Sequence, residues 1–584
     1  MLSNVTNSAG VYVLEPIDNN YSTGDGDISV GGCLVYATKG KPFEAMEVHG
    51  STSELTDYFG KPLPKKSEGM EGLRHVQDAT SGCTYVQVIR VVDSTYRFPS
   101  IAYTLTNNPD AIEKWAAAVE YKMGDLATQG DKTYLCAEPH TAATSNQPGT
   151  AGGADYWLEY TSPVENNAHR YNESLTVGEG SYMLIYPIDG DLSANRSVRI
   201  SDVDEEAERF VISIYDVDDD GEEYKLESYT VGVNEDDKDD MGLSAFIETV
   251  FERESDVFRV SFMDGLTWAD VVKSLKAVET TRTKTVSFKF SGGVAGGYPE
   301  TEDWLKGIEL LRNERMPLNL LFAAGIYDQD LIVKLADVAD FRHIAFFFDV
   351  PGSLRADEAI EWMKSMALVS RHARAYYSPY TATDIYRGGK TLWGVSGAAA
   401  AAKAKCNKIQ NVKATWGVHY SPAGENRGSL TRTGLTALFP DDALTQDVRD
   451  KFYDARINPI VTKASGGCAI DDDMTCWNKT NYLRFGWVND IFDYIDHLFF
   501  EAASQMKFEP DGLTKQGLMD LMTTILEDLV TSEALVAPRD PEKDGTSPFI
   551  LTVRQEAIDH WYVQWDVCPT GCARRIVGQP VVIG

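Results

Sequence analysis

The chain is 584 residues long, 43% hydrophobic, and carries a formal net charge of −34. That length supports about four domains with sizeable cores, and the acidic surplus repels phosphate backbones and anionic lipid, which excludes direct nucleic-acid binding. No stretch approaches the apolar run of roughly 18 residues that a membrane helix needs, so no membrane insertion is expected; the cysteines, at 33, 83, 136, 406, 468, 476, 568 and 572, are too scattered for a disulfide scaffold.

In chain order, MLSNVTNSAGVYVLEPID lacks the basic start and apolar core of a secretory signal, so synthesis and first residence in the cytoplasm are expected. Within it GVYVLEPID is a short extended run cut by Pro16, and the Gly-rich NNYSTGDGD after it reads as a tether. VGGCLVYATKGKP, SELTDYFG and TYVQVIRVV then predict strand, helix and strand. From Phe98 to about Thr283 short β-branched strands alternate with acidic turns, as in RFVISIYDVDDDGEEYKLESYTVGV, with a break near GTAGGADY that predicts two β-rich units.

From Lys284 the period changes. KTVSFKFSGG, PLNLLFAAG and HIAFFFDVP read as strands; EDWLKGIELL, DLIVKLADVAD and DEAIEWMKSMALVSRHA read as helices. That alternation predicts parallel βαβ units. After the Ala-rich helix SGAAAAAKAK and the loop HYSPAGENRG, Val488, Ile491, Ile495, Leu498 and Ala502 form one apolar helical stripe. Leu518, Leu521, Ile525 and Leu529 form another beyond the break at EPDG. In DHWYVQWDV, Trp561, Val563, Trp565 and Val567 share one face of an alternating strand, and CPTGC and an apolar tail follow.

Several groups could carry chemistry. Asp216, Asp218, Asp220, Gly221 and Glu227 match the spacing of a calcium loop, but alternating β-branched flanks in place of helices favour an acidic hairpin turn. Asp471, Asp472 and Asp473 with Cys468 and Cys476 read as a solvated acidic loop, and Cys568 and Cys572 as thiols flanking a turn, with a local disulfide as the alternative. Asp349 ends a predicted parallel strand, where α/β enzymes place carboxylates, although a cap or turn residue is the commoner role. There is no GxSxG elbow, P-loop or dinucleotide fingerprint, so no catalytic residue, resident metal or cofactor is assigned.

Taken in order, GVYVLEPID, VGGCLVYATKGKPFEAMEVHGSTSELTDYFG, YKLESYTVGV, GLSAFIETV, SDVFRVSF, FSGGVAGG, FFFDVP, YYSPY, HYSPAGE and DARINPIV resemble the contractile tail sheath proteins of myovirus-type phages. The chain departs from the family at CAIDDDMTCWN, where many sheaths have an aromatic-Gly pair before Thr, and in lacking the usual Cys-Asp and Asn-Asn phrase before the last strands. The resemblance implies a mixed α/β multidomain protein: an α/β sheath core with extended N- and C-terminal arms and a β-rich insertion on the outer surface. The expected divisions are an arm and tether over 1–27, core over 28–97, insertion over 98–283, an α/β sheath domain over 284–420, a C-terminal core domain over 421–567 and an arm over 568–584.

The resemblance also implies a noncatalytic helical homopolymer stacked around a tail tube in the phage virion, assembled in the host cytoplasm. It would contract against baseplate and tail terminator proteins to drive the tube through the host envelope. Strand exchange would join neighbours through Val11, Tyr12, Val13 and Leu14 at one end and Ile576, Val577, Val581, Val582 and Ile583 at the other. The helix with Asp490, Asp493 and Asp496 is a candidate tube-facing element, with a solvated helix face as the competing reading. Trp561–Val567 is expected to finish the subunit's own core sheet, with CPTGC as the hinge where the chain leaves it. The alternatives are the sheath of a headless injection particle, of R-type pyocin or type VI secretion kind, and an α/β hydrolase or metal-dependent enzyme centred on Asp349.

Overall fold

The run Ala345–Val350, AFFFDV, is buried at every position. A strand is apolar throughout only where both faces of its sheet are covered. The computed structural model describes residues 28–574 and 579, apart from 51, 65–69, 105–112, 123–124, 131, 137–138, 161–163, 166–167, 171–176, 178–180, 219, 283–284, 291, 410–416, 441–444 and 464–465. The expected N-terminal arm, Val11 to Leu14, and C-terminal arm, Ile576, Val577, Val581, Val582 and Ile583, lie outside the described residues.

The chain divides into two units, one containing Phe43–Val91 and the chain from Pro299 onward, the other containing Thr38–Pro42 and Val92–Tyr298. The first opens with strands β1 (Gly31–Val35) and β2 (Ala45–Val48), helices α1 (Thr52–Phe59) and α2 (Gly72–Thr80), and strand β3 (Val86–Arg90). It continues with α3 (Thr301–Leu311), β4 (Leu320–Phe322), α4 (Gln329–Arg342), β5 (Ala345–Val350), α5 (Ala356–Met366) and β6 (Ala373–Tyr377). Then come α6 (Ser396–Asn407), α7 (Gln446–Ala455), β7 (Ile457–Thr462) and β8 (Cys468–Ile470).

These strands make one 8-stranded sheet in the order β2-β3-β1-β4-β5-β6-β7-β8. Its middle is parallel, and β2 and β8 run antiparallel at the edges. The parallel βαβ expectation is met here. Because side chains alternate across a strand, Phe346 and Phe348 enter the layer formed with Trp304, Leu335, Ala359 and Phe452. Phe347 enters the opposite layer with Phe59, Val76 and Ala399. Full burial of each such side chain stabilises the fold by roughly 1.5 to 3 kcal/mol.

Local chemistry sets the helix ends. Asp328 starts α4 by accepting hydrogen bonds from Asp330 N at 3.0 Å and Leu331 N at 3.1 Å, which satisfies donors that the first turn leaves unpaired. The Ala-rich α6 lies so close to α2 that a Cβ on Gly397 would stand 2.1 Å from the His75 carbonyl oxygen, and one on Gly82 2.1 Å from that of Ala401. Only glycine permits that approach.

The second unit is β-rich. It contains a sheet of 223–231, 209–217, 197–204 and 279–280, and another of 164–165, 101–104, 181–187 and 258–262. Helices 247–254 and 268–277 share their apolar cluster, while Tyr121, Tyr134 and Trp157 belong to a separate one. KTVSFKFSGG differs from expectation. Its described strand is only Phe288–Lys289, paired with Ser197 and Val198 of this second unit.

After β8 the first unit ends in two long helices, α8 (Gly486–Gln505) and α9 (Asp511–Thr531), and two strands, β9 (Phe549–Ala557) and β10 (His560–Val567). Among the described residues no helix is long and apolar enough to cross a membrane.

Candidate functional site: the C-terminal hairpin and the helix that carries it

β9 and β10 form a 2-stranded antiparallel sheet of their own. This corrects the expectation that Trp561–Val567 completes the core sheet. The missed partner is FILTVRQEA, whose own alternation, mirrored across the turn at Ile558 and Asp559, was the available signal. The alternation within β10 is as expected: Trp561, Val563, Trp565 and Val567 pack on the cluster of α8 and α9, and Gln564 and Asp566 are exposed. Trp565 meets Phe499 of α8 at 4.9 Å between ring centroids.

Beneath the hairpin, Ile491, Ile495 and Phe499 of α8 face Leu518, Met522, Leu526 and Leu529 of α9. The second stripe is thus rotated from the expected one, since Leu521 and Ile525 are only half-buried. After β10 the chain is tied down. Cys568 N donates to Pro548 O at 3.0 Å, Val536 N to Cys568 O at 3.0 Å and Thr570 N to Ala534 O at 2.8 Å. Arg574 donates from Nε to Asp472 Oδ1 at 2.9 Å and stacks over Tyr453 and Phe485. CPTGC is therefore anchored chain, in place of the expected hinge, and Cys568 and Cys572 are free thiols.

The other face of α8 also differs from expectation. Asp490, Asp493 and Asp496, the candidate tube-facing residues, are 8%, 7% and 7% exposed and turn inward. Asp490 pairs with Arg374 and, at 2.7 Å, with Lys403. Asp493 Oδ1 lies 3.0 Å from His372 Nε2, and Asp496 Oδ2 lies 3.1 Å from His343 Nδ1. A spacing of three residues places the carboxylates on one helix face, and that face needs cations because an isolated buried carboxylate is too costly. The expectation fails because the pattern of charge alone says nothing of cations supplied by other elements.

The cations were visible in SRHARAYY. An arginine inside a buried strand requires a buried anion, and Arg374, the second residue of β6, is fully buried. It donates to Asp473 Oδ1 at 3.2 Å and lies over the Phe347 ring. Asp473 is thus no part of a solvated acidic loop: it is wholly buried. Gly486 opens α8 there because a Cβ would lie 2.3 Å from the Asp473 carboxylate.

Burial raises the Asp493 pKa, but the His372 charge and hydrogen bond outweigh it and bring it down to about 2. Burial lowers that of His372, yet Asp493 and Asp340 raise it above its ordinary value.

Asp349 is buried and receives Val395 N at 2.5 Å and Ser396 N at 3.1 Å, so it caps α6 as the commoner reading had it. Beside it Ser396 Oγ, His75 and Glu71 stand in the order of a nucleophile, base and orienting acid, at 3.1 and 3.2 Å. All three are completely buried, so no substrate reaches them. Burial raises the Asp349 pKa most, against the lowering charge of His75.

At the calcium-loop spacing, Asp216 lies one residue before the end of strand 209–217 and pairs with Arg196 at 3.2 Å, Asp218 accepts hydrogen bonds from Asp220 N and Glu222 N, and Glu227, within strand 223–231, accepts one from Ser255 Oγ at 2.7 Å. This is the acidic hairpin turn. The carboxylates are divided among separate partners.

No family model matches the chain. It is similar to the tail sheath protein of Vibrio phage KVP40, with 23% identity over 384 residues, 59% of this chain and 52% of that one. The match therefore spans about half the length of this curated relative. Among solved structures it is similar to a sheath tail protein from Desulfitobacterium hafniense, with 11% identity and a TM-score of 0.44, covering 96% of this chain and 100% of that one. It is also similar to the sheath of an extracellular contractile injection system in its contracted state, with 19% identity and a TM-score of 0.37, covering 45% and 70%.

Proposed function

We propose that the chain is the noncatalytic subunit of a phage contractile tail sheath. It polymerises as stacked rings around the tail tube in the virion and contracts, on a signal through the baseplate, to drive the tube through the host envelope. The observation that carries this reading is the β9–β10 hairpin. Among the described residues its two outer strand edges have no ladder partner, and an unpaired edge is a template for an added strand. The hairpin sits on a packed helix pair, which holds that template still.

In this reading Val11 to Leu14 and Ile576 to Ile583 are the strands that neighbours exchange, with β9 and β10 receiving them. A contact of this head-to-tail kind does not close on itself and builds a helix. The similarity to the Vibrio phage tail sheath protein supports the class. The energy of contraction would come from a trapped assembly relaxing into a better-packed one, which needs no nucleotide.

The test is negative-stain microscopy of the full chain and of a form lacking residues 575–584. Hollow tubes or stacked rings from the full chain, and folded unassembled particles from the truncated one, are expected. Uniform small particles from the full chain overturn the sheath reading, and normal tubes from the truncated chain overturn strand exchange.

A further inference from the structure

In the β-rich second unit, the turn at Glu208, the chain after strand 223–231 and the link from strand 258–262 to helix 268–277 enclose a cleft of about 450 Å³, within the size range of ligand sites. Phe246, Phe262 and Trp268 line it at 9%, 7% and 8% exposure and form an apolar floor. Glu208, Glu235, Asp236 and Asp264 are exposed and form the rim, and no Lys, Arg or His is among the lining residues.

We propose that this cleft receives the segment Lys61–Lys66, KPLPKK, of a second copy of the chain; the inference rests on the sheath reading only in that neighbouring copies are supplied by it. Charge is the first argument. Among the described residues none of the four rim side chains has an ion-pair or hydrogen-bond partner. Arg209, next to Glu208, is spent on Asp237. The N-terminus of helix 268–277 is already answered by Asp270, which accepts Thr267 N at 2.8 Å. Four carboxylates around an apolar floor suit a cation with an apolar body. A lysine side chain has that form: its stem covers apolar surface while its ammonium stays at the wet edge, and an aromatic face attracts it.

The indole is the second argument. Trp268 is more than nine-tenths buried, yet its N–H has no acceptor among the described residues. A largely buried donor without a partner is costly, and a peptide carbonyl can accept from it where a free polyamine cannot. The third argument selects the segment. In this acidic chain only two runs of six residues hold three Lys or Arg and no acid, Lys61–Lys66 and Lys403–Lys408. The second starts inside α6, where Lys403 is buried and paired with Asp490. In the first, Lys61 is exposed, and Pro62 and Pro64 hold the residues before them extended, which lowers the ordering cost of docking.

The test titrates the full chain with a fluorescently labelled peptide of residues 60–66, read by anisotropy at low salt. One saturable site per chain is expected, weakened at least about 10-fold by Asp236→Lys with Asp264→Lys and unchanged by Glu527→Lys on α9. The same peptide with its three lysines replaced by glutamate is expected to bind that double variant and not the wild type. Carbodiimide coupling in a mixture of isotopically light and heavy wild-type chains is the second readout and needs no variant: Lys61, Lys65 or Lys66 joined to a rim carboxylate of the other copy is expected. No saturable site, equal affinity in the folded double variant, displacement of the peptide by an equal concentration of spermine, or couplings confined to one copy overturns the contact. The titration does not depend on tube formation, so tubes without peptide binding overturn this contact alone, and peptide binding without tubes overturns the sheath reading alone.

Discussion

β5 and β10 are both rich in aromatic and β-branched residues, yet they meet opposite conditions. AFFFDV is buried on both faces and hydrogen-bonded on both edges, by β4 and β6. HWYVQWDV is half-buried on one face and, among the described residues, pairs on one edge with β9. The first strand uses all its bonding capacity inside the fold. The second retains a row of backbone donors and acceptors, so damage to β5's surroundings should appear as lost folding stability, and damage to β10 as lost association.

The largest expected effect tests the buried side of that contrast. Arg374→Ala leaves Asp473 and Asp490 without their shared cation and is expected to cost about 3 to 5 kcal/mol in urea denaturation; a loss below about 1 kcal/mol would mean that α8 does not depend on the charges behind it. Trp565→Ala comes next. Removing a half-buried indole from the Phe499 contact is expected to cost about 1 to 2 kcal/mol and to abolish tubes at protein concentrations where the monomer remains folded by circular dichroism.

A third effect is confined to acid. Burial raises the Asp384 pKa, but Arg74, at 2.6 Å, and backbone donors bring it below the ordinary carboxylate value. A depressed folded-state value contributes stability that is present above the unfolded carboxylate range and lost as pH falls through the folded one. Thermal melts from pH 5 downward should show a shallower decline in Asp384→Asn than in wild type; parallel declines would remove the pair from the acid response. The smallest effect sharpens the hairpin side. Ile558, 90% exposed at the turn between β9 and β10, should tolerate Asp within about 0.5 kcal/mol, and any defect should appear only in assembly.

Much of this fold was legible because its strands and helices carry strong periods. The parallel α/β order could be read from PLNLLFAAG, HIAFFFDVP and the helices between them, and the one-sided character of β10 from its alternation. What could not be read was partnership between distant segments. The three aspartates of α8 look like a solvated stripe until Arg374, His372 and His343 are seen to arrive from β6 and its approach and from the end of α4. KTVSFKFSGG reads as a strand of the α/β unit by composition, yet pairs with residue 197, because short strands are assigned by contacts that local sequence does not encode. FILTVRQEA is the opposite case: its alternation is present in the sequence, but only pairing with β10 gives it meaning.

The tie at Arg574 gives the molecule a load path. If the last residues are held by another subunit, a pull on them reaches the Arg574–Asp472 pair and the backbone bonds of Cys568 and Thr570 before it reaches the strands. The bonds of β9 and β10 would otherwise break in succession, like a zipper drawn from its end. With the anchor engaged, force passes into the segment leading to α8 and into the end of α9, and the hairpin is spared from peeling.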